Sequence, residues 1–178
     1  MKNFKLNEKD ILSNQDWTFP TTTYYGPGRF NEIGKFCEEF DIKNPLIVTD
    51  SGSKDLPFIK KLIALLSKNN IKSDLFYNIS PNPRDDEISK GCDQFKNGSH
   101  DSIIAIGGGS AMDGGKSICL TVNSETPLWD FEFEQPVPKI TKENAFPKII
   151  TVPTTAGTGA ETEITAMVTH LEKGMKFC

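Results

Sequence analysis

The sequence predicts an α/β fold, a parallel β-sheet with helices on its faces. Three observations predict it. Short apolar runs alternate with segments of helical periodicity from residue 46 to about residue 122, and strands joined through helices lie parallel in one sheet. Residues 101–117, DSIIAIGGGSAMDGGKS, pass from an apolar run through three glycines into a helix-like segment. Asp50, the stretch Gly107, Gly108, Gly109 and Ser110, and the loop carrying Thr154, Thr155 and Thr158 each follow an expected strand. They should therefore gather at the C-terminal edge of the sheet, where such sheets bind ligands.

The elements follow in order. Residues 1–18 are polar and mixed in charge and read as an N-terminal arm. Residues 21–25 (TTTYY) are β-branched and aromatic, which suits a strand. Gly26-Pro27-Gly28 breaks the chain. Phe30, Ile33, Phe36, Cys37 and Phe40 then mark one face of a helix over 29–40. Residues 45–49 (PLIVT) form a short buried-type strand that ends at Asp50. A helix over 57–68 carries Phe58, Ile59, Leu62, Ile63, Leu65 and Leu66, with Pro57 in its first turn. A third strand is expected within 71–78, a rigid turn at Pro81-Asn82-Pro83, and a weaker helix over 84–96 with Ile88, Cys92 and Phe95 on one side. After the strand at 102–106 and its glycines, a helix should run from Ser110 to Val122. Residues 123–146 are polar and proline-bearing and read as a long connection. A strand at 148–152 (KIITV) leads to the small-residue loop 153–159 (PTTAGTG). Two strands, 164–170 and 175–178, are expected around Glu172-Lys173-Gly174.

Composition narrows the function classes. The chain has 178 residues, 37% hydrophobic and 25% charged, which suits a soluble globular domain. A net charge of −4 and the lack of a basic run argue against nucleic acid. No apolar stretch nears the ~20 residues a membrane span needs. The N-terminus lacks a signal-peptide core. Cys37, Cys92, Cys119 and Cys178 are far apart, which reads as reduced thiols in a cytoplasmic protein.

The glycine unit carries the strongest chemistry. Glycines leave no Cβ to hold a ligand off the backbone, and a helix starting there aims unpaired N–H groups at an anion. The dinucleotide fingerprint G-x-G-x-x-G is not matched, because Met112 holds its last position. A simple tight turn is the bland reading, and three glycines exceed what a turn requires. Thr154, Thr155 and Thr158 offer hydroxyls for phosphate or ribose, or make an ordinary Gly/Thr loop. Asp50 could accept hydrogen bonds from ribose hydroxyls or simply be a solvated strand-end carboxylate. Asp113 could favour the helix dipole or help shape the phosphate loop. His100 and His170 share no ligand spacing and read as structural.

GGGSAMDGGKS at 107–117 and PTTAGTGAETE at 153–163, with YGPG at 25–28, LIVTD at 46–50 and PNP at 81–83, resemble the iron-dependent alcohol dehydrogenases over residues 19–178. The chain is more distantly similar to the glycerol dehydrogenase and dehydroquinate synthase group. The resemblance implies a Rossmann-like NAD-binding domain over 19–178, the N-terminal half of a two-domain enzyme. It implies pyrophosphate binding at Gly107, Gly108, Gly109 and Ser110, with Thr154, Thr155 and Thr158 around the phosphates and nicotinamide half. Asp50 would favour NAD over NADP, and Asn82 and Lys176 would lie near the cofactor. Ala160 stands where that family has Ser, His170 where it has Asp, and Gly114-Gly115 where it has helix formers.

The activity implied is hydride transfer between an alcohol or aldehyde and NAD. Iron (Fe2+), or zinc (Zn2+) in the glycerol dehydrogenase-like alternative, would act as Lewis acid on the substrate oxygen. The metal is expected in a helical C-terminal domain outside these residues, so the chain alone should be inactive. A homodimer or larger homo-oligomer is expected for the complete enzyme. A stand-alone, non-catalytic nucleotide-binding module is the other alternative.

Overall fold

In the computed structural model, residues 15–17, 21–139 and 146–178 are described. Their centre is a parallel sheet of four strands, β3 (Pro45–Asp50), β4 (Asp74–Ile79), β5 (Ser102–Gly107) and β6 (Lys148–Pro153), in the order β4-β3-β5-β6. Each of β3, β4 and β5 is followed by a helix, respectively α2 (Pro57–Lys68), α3 (Asp85–Asn97) and α4 (Gly109–Thr121). The chain moves outward to β4 after β3, then crosses back to β5 and on to β6. The order therefore reverses between β3 and β5, and a crevice opens at their C-terminal ends.

Alternation along the two central strands sorts the core. Leu46, Val48, Ile103 and Ala105 face α3 and α4 and pack with Ile88, Phe95, Met112 and Ile118. Ile47, Ile104 and Ile106 face the other way, against Ile33 and Cys37 of α1 (Ile33–Glu39) and Ile59, Leu62 and Leu66 of α2. Both faces are covered, so β5 is buried along its whole length.

Several boundaries differ from the sequence expectation, each for a local reason. Gln15–Trp17, inside the expected arm, forms β1 and pairs antiparallel with β2 (Thr23–Tyr25). The rest of residues 1–14 lies outside the described residues. The expected helix over 29–40 begins as a tight turn at Arg29–Glu32, because Gly28 at φ +83° lets the Asn31 N–H reach the Gly28 carbonyl at 2.9 Å. The third strand, expected within 71–78, runs over Asp74–Ile79. The Ile71 N–H bonds back to Leu66 at 3.0 Å, closing α2 with Asn70 in the left-handed region at φ 59°. α1 and α3 close the same way, with Asp41 and Ser99 each at φ 50°. This is a Schellman ending with non-glycine residues at the left-handed position.

α4 lies tight on the sheet. A Cβ on Gly115 would stand 2.5 Å from the Ala105 Cβ, and one on Gly114 would stand 2.7 Å from Ile79. Gly115 is thus what lets this helix approach β5, and Gly114 what lets it approach the end of β4. After α4, residues Leu128–Phe131 make a short turn of 3-10 helix. The final two strands are shorter than expected, β7 (Val168–His170) and β8 (Met175–Phe177), an antiparallel hairpin.

Candidate functional site

The crevice at the switch point is built by three strand ends. The Thr49 hydroxyl donates to the Ile106 carbonyl at 2.7 Å and ties β3 to β5 beneath it. Asp50 ends β3. Its carboxylate accepts the Gly52 N–H at 3.0 Å and the Ser53 hydroxyl at 2.7 Å, which fixes its rotamer. Gly107 ends β5 at φ +147°, where a side chain would be strained. A Cβ there would lie 3.2 Å from the Asp50 Oδ2 and 2.8 Å from the Ala111 Cβ.

The threonine loop closes the other side. The Thr154 N–H donates to the Gly107 carbonyl at 2.8 Å. A Cβ on Gly108 would stand 3.5 Å from the Thr155 Oγ1, and one on Gly109 3.1 Å from the Thr158 Oγ1. Two hydroxyls thus flank the bare backbone at which α4 begins. No side chain caps that helix start. Its first N–H groups and the positive end of its dipole face the crevice, an arrangement suited to an anion.

The turn after β4 completes the rim. The Ser110 hydroxyl donates to the Pro81 carbonyl at 2.6 Å, so its hydrogen is committed to the Pro81-Asn82-Pro83 turn. The Ser110 backbone N–H is the group left for an anion. Glu87 braces the same turn. Its buried Oε2 accepts the Ser80 N–H at 3.1 Å, the Ser80 hydroxyl at 3.0 Å and the Arg84 N–H at 3.1 Å. The Ser80 hydroxyl also reaches the Asn82 carbonyl at 2.8 Å.

Asp113 and Lys176 sit behind this rim. Asp113 lies one turn into α4, 3.7 Å from Lys116. Burial raises its carboxyl pKa, against the pull of Lys116, Met167 and Lys176. Burial likewise lowers that of Lys116. Lys176 is on β8 opposite Thr169, and the Thr169 N–H donates to the Pro83 carbonyl at 2.7 Å, anchoring the hairpin to the turn. The histidines stay apart. His100 Nδ1 meets the Asn44 carbonyl at 3.0 Å, whereas His170 stacks on Trp129 with ring centroids 4.6 Å apart. Among the described residues no three His, Cys, Asp or Glu side chains come together as a metal site.

Asp50, Gly107, Gly108, Gly109, Thr154, Thr155 and Thr158 are thus brought together directly, and Ser110 and the Asn82 turn adjoin them. Glu87 and Lys116 were missed. Lys116 carried a signal, its i, i+3 spacing from Asp113. Glu87 stands at the third helical position, where a capping box places its acid, but Arg84 at the N-cap hides the pattern.

Set beside known proteins, residues 20–178 match the sequence profile of the iron-containing alcohol dehydrogenases. The chain belongs to that family. It is 30% identical over 164 residues to a 1,3-propanediol dehydrogenase of Klebsiella pneumoniae, covering 91% of this chain and 41% of the relative. It is 32% identical over 174 residues to a choline dehydrogenase of Bacillus subtilis, covering 97% and 43%. Among solved structures, a 1,3-propanediol oxidoreductase superposes with a TM-score of 0.78 at 30% identity, over 85% of this chain and 38% of that one. A sulfoacetaldehyde reductase from Bifidobacterium kashiwanohense, solved with NAD+, superposes with a TM-score of 0.74 at 27% identity, over 85% and 39%. The chain spans about two fifths of the length of these relatives.

Proposed function

We propose that this chain is the cofactor-holding part of an NAD-dependent alcohol dehydrogenase, passing a hydride between a small alcohol or aldehyde and NAD. The observation that carries the reading is the convergence of Asp50, the bare Gly107–Gly109 backbone and the Thr155 and Thr158 hydroxyls at one switch point. These residues fit a dinucleotide. The N–H groups of Gly108, Gly109 and Ser110, with Thr154, Thr155 and Thr158, would hold the pyrophosphate and its neighbours. Asp50 would accept from a ribose and repel a 2′-phosphate. Asn82 and Lys176 would border the cofactor, and Asp113 would support the loop from behind. When bound, NAD supplies the hydride chemistry, and the protein supplies binding and orientation.

The described residues do not fit an iron site, because no three candidate ligands come together. The metal and the alcohol would lie against other parts of the complete enzyme, a cytoplasmic homodimer or larger homo-oligomer.

Calorimetry with NAD and NADP tests the cofactor reading. We expect NAD to bind at least about tenfold tighter, a difference of ~1.4 kcal/mol. Failure of both cofactors to bind would overturn the reading. Equal affinities would remove only the role given to Asp50.

A further inference from the structure

We propose that Lys116 and Asp113 act as a positioning clasp, which holds the segment 163–165 on α4 and so fixes the threonine loop against the phosphate end of that helix. The inference rests on the cofactor reading above and assigns to Lys116 a part beyond contact with the anion.

The geometry is specific. The Lys116 ammonium donates to the carbonyls of Glu163, at 3.2 Å, and Thr165, and pairs with the Asp113 Oδ1 at 3.7 Å. Both carbonyls are therefore tied to one turn of α4. The other bonds of Glu163 and Thr165, from the Glu163 N–H to the Gly159 carbonyl at 3.2 Å and from the Thr165 hydroxyl to the Glu163 carboxylate at 3.3 Å, stay within the loop itself. The segment has no regular structure, and Ile164 is 94% exposed, so its side chain does not seat it. The clasp side chains themselves are only 15% and 16% exposed. Such a shielded pair is costly to break from one side, since the remaining charge stays buried.

The segment lies between the two cofactor-facing parts of the C-terminal third. Upstream are Thr154, Thr155 and Thr158, beside the glycine backbone. Downstream is the hairpin that carries Lys176. α4 begins at Gly109, one turn before Asp113. Holding 163–165 on that helix thus sets the position of the loop relative to the N–H groups that would meet the pyrophosphate. A ligand that needs the loop should feel the clasp more than one that needs only Asp50.

The test compares NADH with adenosine in the full chain. Both would use Asp50, but only NADH carries the pyrophosphate and nicotinamide half that the threonine loop would meet. In Lys116→Met, NADH should bind about tenfold or more weakly while adenosine changes by less than about twofold. Lys116→Arg should restore most of the NADH affinity, because a guanidinium can still reach carbonyls and a carboxylate. An unchanged NADH-to-adenosine ratio in a folded Lys116→Met would overturn the clasp. If that variant does not fold, Asp113→Asn replaces it. It should show the same selective loss, and its absence would overturn the proposal. A wild-type chain that binds neither ligand would instead sink the cofactor reading, and the clasp with it.

Discussion

At Asp50 one carboxylate does two jobs. It holds the first turn after β3 through Gly52 and Ser53, and it lies within reach of the bare Gly107 backbone. Asp50→Gly should therefore narrow any preference for NAD over NADP and cost ~1 kcal/mol of stability through the lost hydrogen bonds. Calorimetry and urea unfolding read the two effects separately. Gly109 tests the backbone. A Cβ there already meets the Thr158 Oγ1 at 3.1 Å, and valine adds two methyl groups. Gly109→Val should weaken NADH binding by about a hundredfold or more. If the folded variant binds normally, the glycines serve only the turn. The cysteines give a pH test. Burial pushes the Cys37 thiol up to about 11 and the Cys119 thiol up to about 12. Near pH 8 only about a thousandth of Cys37 is thiolate, so it should resist alkylation while exposed Cys178 reacts. Labelling of Cys37 and Cys119 should speed up as pH rises, and mass mapping would show it. Asp50, Thr155 and Thr158 were legible because they follow strands. Glu87 and Lys116 were not, because their roles run through carbonyls and amides contributed by other segments.

At the scale of elements, α4 sets propensity against packing. Gly115→Ala gains ~1 kcal/mol in helix propensity. Its Cβ would stand 2.5 Å from the Ala105 Cβ, which the strand backbone holds in place. Overpacking of that kind costs ~1–3 kcal/mol, so the variant should be less stable, and a higher melting temperature would show that α4 can lift off the sheet at little cost. Helix endings predict the opposite sign. Ser99 closes α3 at φ 50°, and left-handed backbone costs an L-residue ~1 kcal/mol. Ser99→Gly should raise stability by up to about 1 kcal/mol, measured by denaturant midpoint. The same endings explain where in 71–78 the strand begins, because the Ile71 N–H is spent on closing α2.

For the whole molecule, apolar side chains remain at the surface of the last third. Phe133 is 76% exposed, Ile164 94% and Met175 60%. Large exposed apolar area favours association, so sedimentation of the purified chain should show self-association that rises with concentration. With no three ligands gathered among the described residues, metal analysis should find no stoichiometric iron or zinc, and no alcohol should be oxidised with NAD. Stoichiometric metal with turnover would mean a site within this chain that the reading lacks. The sequence by itself determined the α/β class, the succession of strands and helices, and the glycine and threonine motifs. Those properties are local, carried by periodicity, glycine placement and turn residues a few positions apart. Only the tertiary structure decided the order β4-β3-β5-β6, the contact of Thr155 and Thr158 with the glycines, and the hold of Lys116 on residue 165. Such contacts join residues some fifty positions apart in the chain. Which of them form depends on how both faces of the sheet are packed, and no short stretch of sequence encodes that.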